Sequence, residues 1–304
     1  MRSSRTFAAV AALAVLAAAT AFAMGSRESL RGAPAVVVSI QPQAYFVERI
    51  AGGRFRPVVL VGPGQSPHSY EPTPRQMADL SSATLWLTIG AEFERSLVPK
   101  VSALYPGLRI ADTTSGVVYR DLSAHSHEGE PGKSPEAIGE AKGGRDPHVW
   151  LGRQAVKAMA ASIRDALTAS DPGGTSAYSA NHDAFARDVD AVYDELARTL
   201  EPLRGATVFV YHPSFGYLLD EFGIEQEAVE TGGKEPTQKA LAALIAEARA
   251  DGAKVVFVQA QFPSSAAKAI ADSIGGVVVT IDPLARDWLD NLRRIGTALR
   301  ESRP

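Results

Sequence analysis

Three histidines stand in proline-flanked segments far apart in the chain: His68 in Ser66-Pro67-His68, His148 in Asp146-Pro147-His148, and His212 in Tyr211-His212-Pro213. Imidazole nitrogens joined by one carboxylate oxygen suit a tetrahedral, borderline-soft divalent cation, zinc above all. Asp282, in an Asp-Pro pair after an apolar run, offers that oxygen. Taken singly, each residue has a plainer reading as a loop histidine with one hydrogen bond or an Asp-Pro that begins a turn. Position argues for more. His212 follows the run at 207–211 directly, and Asp282 follows 277–281 in the same way. Both therefore leave the carboxyl ends of strands, which face the ligand crevice in parallel α/β folds. The other three histidines fit less well. His182 falls inside a helical pattern, and His125 and His127 lie in a polar stretch where they could gather metal only weakly, at an entropic cost.

The elements that would hold these side chains are legible as alternating β-rich and helical runs. Strands are expected over 35–41, 55–61, 85–89 and 108–111, with helices over 44–51, 75–82 and 94–105. The order repeats in strands over 207–211, 224–230, 254–259 and 277–281, with helices over 238–250 and 264–274. Continuous apolar strands such as Val36-Val37-Val38 are what a parallel sheet covered on both faces needs. Between the two sets, Tyr178, Phe185, Val189, Val192, Leu196 and Leu200 recur at helical spacing within 176–203. That stripe implies one helix of about 27 residues, near 40 Å long. The fold expected is α/β: two βα lobes, each with a mainly parallel four-stranded sheet, joined by a long backbone helix.

Residues 1–23 read as a secretory signal, with Arg2 and Arg5 before a short apolar run that closes on Ala21-Phe22-Ala23. The first lobe is expected over 33–172, with a mobile, polar insertion over 121–145. The linking helix would occupy 173–203 and the second lobe 204–304. An exported chain without cysteine must draw its stability from packed cores. The 304 residues, 45% of them hydrophobic, suffice for two cores. A net charge of -3 without a basic run argues against nucleic acid as a partner.

At these residues the chain resembles the zinc and manganese substrate-binding proteins of bacterial ABC importers, the metal-receptor group with a rigid backbone helix. The segments that carry the resemblance are His68 with Tyr70-Glu71-Pro72, Asp146-Pro147-His148-Val149-Trp150, Tyr211-His212-Pro213-Ser214-Phe215-Gly216-Tyr217, Glu235-Pro236-Thr237, and Val279-Thr280-Ile281-Asp282-Pro283-Leu284. The resemblance implies one metal in the cleft between the lobes, held by His68 and His148 from the first and His212 and Asp282 from the second. A histidine at the third position favours zinc; a manganese-type receptor, with glutamate there, is the alternative. It also implies an extracytoplasmic, periplasmic receptor that hands a divalent ion to a membrane permease and needs to be no more than a monomer. No catalytic or cofactor-binding residue is expected. A zinc hydrolase would need an open fourth position and a general base, for which Glu71 or Glu235 would have to serve. An adhesin on the same fold would need a membrane anchor.

Overall fold

The computed structural model describes residues 32–121, 144–230 and 234–302. The expected signal over 1–23, most of the insertion over 121–145, and His125 and His127 lie outside the described residues. Among those described, no helix is long and apolar enough to cross a membrane.

The first lobe runs β1 (Ala35–Val38), α1 (Gln41–Ala51), β2 (Arg56–Val59), α2 (Pro74–Ser82), β3 (Leu85–Thr88), α3 (Glu92–Leu104) and β4 (Arg109–Asp112). Its strands form one parallel sheet in the order β2-β1-β3-β4. Val36, Val37 and Val38 of central β1 and all four residues of β3 are buried, as a sheet covered on both faces requires. β1 stops at Val38 rather than running to 41, because the Gln43 side chain accepts from the amides of Ser39 and Ile40 and turns the chain into α1. Buried Glu94 gathers the amides of Ile89 and Ala91 and the Ser39 hydroxyl, drawing together the carboxyl ends of β1 and β3.

A short 3-10 turn, Val149–Leu151, leads into α4 (Arg153–Ser170), which folds back through Pro172–Gly174 onto α5 (Thr175–Leu200). The stripe expected on the linking helix is its buried face, with Tyr193 added. At 26 residues it spans about 39 Å. Pro202 falls in the 3-10 turn Glu201–Leu203 that ends it, since proline can neither donate to nor continue the helix.

The second lobe repeats the first with β5 (Thr207–Val210), α6 (Gly216–Glu221), β6 (Glu225–Ala228), α7 (Gln238–Ala250), β7 (Val255–Val258), α8 (Ser265–Ile274) and β8 (Val277–Thr280), in the parallel order β6-β5-β7-β8. α8 stops where expected, at Gly275, whose φ of 65° is the left-handed conformation glycine adopts without penalty. The last helix, α9 (Trp288–Glu301), lies along α5 and reaches α1 of the first lobe, where Trp288 meets Phe46 edge-on.

Candidate metal centre

Every strand of the second lobe delivers a polar side chain from its carboxyl end. His212 follows β5, Glu230 follows β6, Gln259 follows β7 and Asp282 follows β8. Gln259 grips the backbone of His212 from both sides, its Oε1 accepting from the His212 amide at 3.2 Å and its Nε2 donating to the His212 carbonyl at 2.6 Å. From the first lobe come His68, on the loop between β2 and α2, and His148, just before the 3-10 turn. Trp150 fixes that turn by donating its indole N–H to the Pro283 carbonyl across the cleft.

The three imidazoles converge. Nε2 of His212 lies 3.2 Å from Nε2 of His68 and 3.1 Å from Nε2 of His148. Among the described residues, this is the one group of three or more potential ligand side chains close enough to share an ion. Zinc–nitrogen bonds of about 2.0–2.1 Å at tetrahedral angles would put the nitrogens roughly 3.3 Å apart. The observed spacing is within a few tenths of that.

Proton bookkeeping sharpens the point. His148 Nδ1 is 2.7 Å from Asp146 Oδ1, and His212 Nδ1 is 2.7 Å from Glu230 Oε1. A carboxylate only accepts, so each Nδ1 carries the proton and each Nε2 presents a bare lone pair. Two such lone pairs 3.1 Å apart repel unless a cation lies between them. Burial holds the His212 imidazolium below its ordinary pKa, more than Glu230 raises it. His68 is lowered too, first by burial and then by the facing His212. Burial pushes the Asp146 carboxyl up, but bonds from His148 and Arg120 outweigh it and keep the group below the usual carboxylate range. His68 and His212 are thus held toward the neutral form that a divalent ion requires.

A family model described as zinc-uptake complex component A, periplasmic, matches residues 36–302. The chain belongs to that family. It is 27% identical over 263 residues to the high-affinity zinc uptake system protein ZnuA of Yersinia pestis, covering 82% of this chain and 83% of that protein. It is also 24% identical over 307 residues to the protein of the same name in Bacillus subtilis, covering 95% and 94%. A crystal structure of ZnuA superposes with a TM-score of 0.79 at 32% identity, covering 89% of this chain and 99% of that one. The two parallel lobes and long helix expected from sequence are thus the architecture of the zinc-uptake family. Its members are metal-binding receptors of importers, and the family is periplasmic by description.

Of the four side chains singled out in the sequence, His68, His148 and His212 bring their ligand atoms within 4.8 Å of one another, and Asp282 is not in that group. Its Oδ1 accepts from Gln261 Nε2 at 3.0 Å and from the Leu284 amide at 2.9 Å, while Pro283 and Leu284 line the small cavity beside the imidazoles. That cavity measures about 20 Å³, room for one ion or water. Phe262 covers one side, its ring stacked on His212 with centroids 4.7 Å apart. His182 lies elsewhere, on α5 beside Asp183.

Sequence reasoning did not single out Glu230, Gln259 or Phe262. Glu230 had a usable signal, because it is the last residue of an expected strand, 224–230, much as His212 and Asp282 come directly after theirs. Glu230→Gln keeps its size but lets the amide donate to Nδ1 and favour the wrong tautomer. Metal binding should weaken about 10–100-fold, as expected for an outer-shell partner, with little change in unfolding temperature. Competition titration of the metal-stripped variant checks this.

Proposed function

We propose that this chain is an exported zinc receptor, which captures one zinc ion between its lobes and presents it to the permease of an ABC importer. The observation that carries the reading is the His212 Nε2 at tetrahedral-edge spacing from the Nε2 atoms of both His68 and His148, with buried carboxylates holding the protons of His148 and His212 on Nδ1. His68, His148 and His212 would hold the ion. Asp282 would take the fourth position by exchanging Gln261 Nε2 for the metal. A third imidazole in place of a carboxylate favours zinc over manganese, although the general affinity series pushes the same way. Residues 1–23 would direct export, and one chain would suffice for one ion. The small cavity, walled by Phe262, Pro283 and Leu284, favours a carrier over a hydrolase, which would need room for a substrate beside the ion.

Elemental analysis of the purified protein, followed by calorimetry on metal-stripped material, tests this directly. About one zinc per chain should bind tightly, and zinc should displace manganese by orders of magnitude. Manganese winning under matched conditions would reverse the assignment.

The pH dependence follows from the lowered histidines. Protons compete for His68 and His212 only below the ordinary imidazole value, so zinc affinity should stay level down to about pH 6.5 and weaken below it. The apo protein should lose stability over the same descent. Below about 6.5 the unfolded chain takes up protons that the folded site refuses, and linkage then favours unfolding. Titrations and thermal scans from pH 8 to 5 read both effects, and affinity already falling between pH 8 and 7 would contradict the shifts.

A further inference from the structure

The segment that supplies His212 runs on into α6, where Gly216 and Tyr217 pack against Arg120, which follows β4 of the first lobe. Arg120 Nη1 donates to Asp146 Oδ2 at 2.6 Å, and Asp146 is fully buried with its other oxygen on His148. The same guanidinium donates through Nε to Asp220 Oδ2 on α6 at 2.8 Å. The Arg120 amide donates to the Tyr217 hydroxyl at 3.1 Å, and that hydroxyl donates to the Asp146 carbonyl at 3.0 Å. A Cβ at position 216 would sit 1.9 Å from Nη1, so glycine there is what lets the guanidinium through.

We infer that Arg120 is a positioning residue that latches the second lobe to the carboxylate behind His148, so that lobe separation and loss of zinc are one event. The inference rests on reading His148 as a ligand. Asp146 is fully buried, and the Arg120 guanidinium is the cation set against its outer oxygen. Because Asp220 holds the other side of the guanidinium, moving α6 away leaves Arg120 anchored by Asp146 alone. The carboxylate is then freer to turn, and His148 turns with it. The planar fork serves both lobes at once, which a lysine, with a single point charge, does not do. Nothing else about Arg120 requires two acidic partners on different lobes.

Stopped-flow transfer of zinc from the full chain to a chromophoric chelator tests the latch. Asp220 is half-exposed, so Asp220→Asn leaves the fold intact while weakening only the interlobe half. It should release zinc several-fold faster, with association nearly unchanged. Arg120→Ala should release it about 10–100-fold faster, and Arg120→Lys should fall between Arg120→Ala and wild type. Adding Asp220→Asn to Arg120→Ala should bring no further change, because both act through one group. If Arg120→Ala fails to fold, Asp220→Asn decides alone. Wild-type release from Asp220→Asn, with unfolding temperature also unchanged, overturns the latch. His148→Ala is measured alongside: unchanged affinity there overturns the ligand reading itself, whereas weakened binding there with unaltered release from Asp220→Asn overturns only the latch.

Discussion

His212→Ala should weaken zinc binding by on the order of 100-fold or more, beyond what removing an outer-shell carboxylate does. His212 is the middle of the cluster, with its Nε2 within 3.2 Å of both other nitrogens. Removing it takes away one bond to the ion and leaves Glu230 buried without the ring that it orients. It also removes the surface on which Phe262 stacks, so water gains access to the ion. Replacement by Gln separates these contributions, since it restores volume and a hydrogen bond to Glu230 without a good zinc ligand. Calorimetry with a competing chelator should find both variants weakened and the Gln variant the more stable. Unchanged affinity in either would take His212 out of the site.

The second large effect is on stability. Trp288→Ala should cost about 3–5 kcal/mol, the range for deleting a buried aromatic, and lower the unfolding temperature by roughly 5–15 °C. Trp288 is fully buried, its ring meets Phe46 and Phe185, and its N–H donates to the Trp150 carbonyl at 2.8 Å. It therefore joins the last helix, the first lobe and the linking helix in one core. An exposed pair such as Lys268 with Asp272 offers no comparable loss, since such i,i+4 contacts contribute only about 0.3–0.5 kcal/mol. Trp288→Phe keeps most of the volume and should cost far less, chiefly the indole bond of about 1 kcal/mol. Thermal scans of the two variants make the comparison; equal losses would mean that the bond rather than the packing dominates.

The sequence was most readable where one physical signal sufficed. Val36-Val37-Val38 had to be a buried strand, and Gln238–Ala250 and the stripe from Tyr178 to Leu200 could bury their apolar faces only as helices. Boundaries moved where a side chain competed with the backbone, as Gln43 does at Ser39 and Ile40. Arg153–Ser170 lay outside the expected elements although Val156, Met159, Ile163 and Leu167 recur at helical spacing. Trp288–Glu301 also lay outside them, although Trp288, Leu292, Ile295 and Leu299 recur at helical spacing there too.

The candidate site divides the same way. The chain order alone put His68, His212 and Asp282 just after expected strands and His148 in a proline-fixed segment after the polar insertion, since strand runs and proline-fixed turns are local properties of a few residues. Local properties do not tell which loops meet, how far apart the nitrogens stand, or which carboxylate sits behind each ring. The pairing of His212 with Glu230, the diversion of Asp282 to Gln261, and the reach of Arg120 to both Asp146 and Asp220 all arise from contacts between segments distant in sequence. Packing of the two lobes and the long helix fixes those contacts, and the pattern of any one segment cannot encode them.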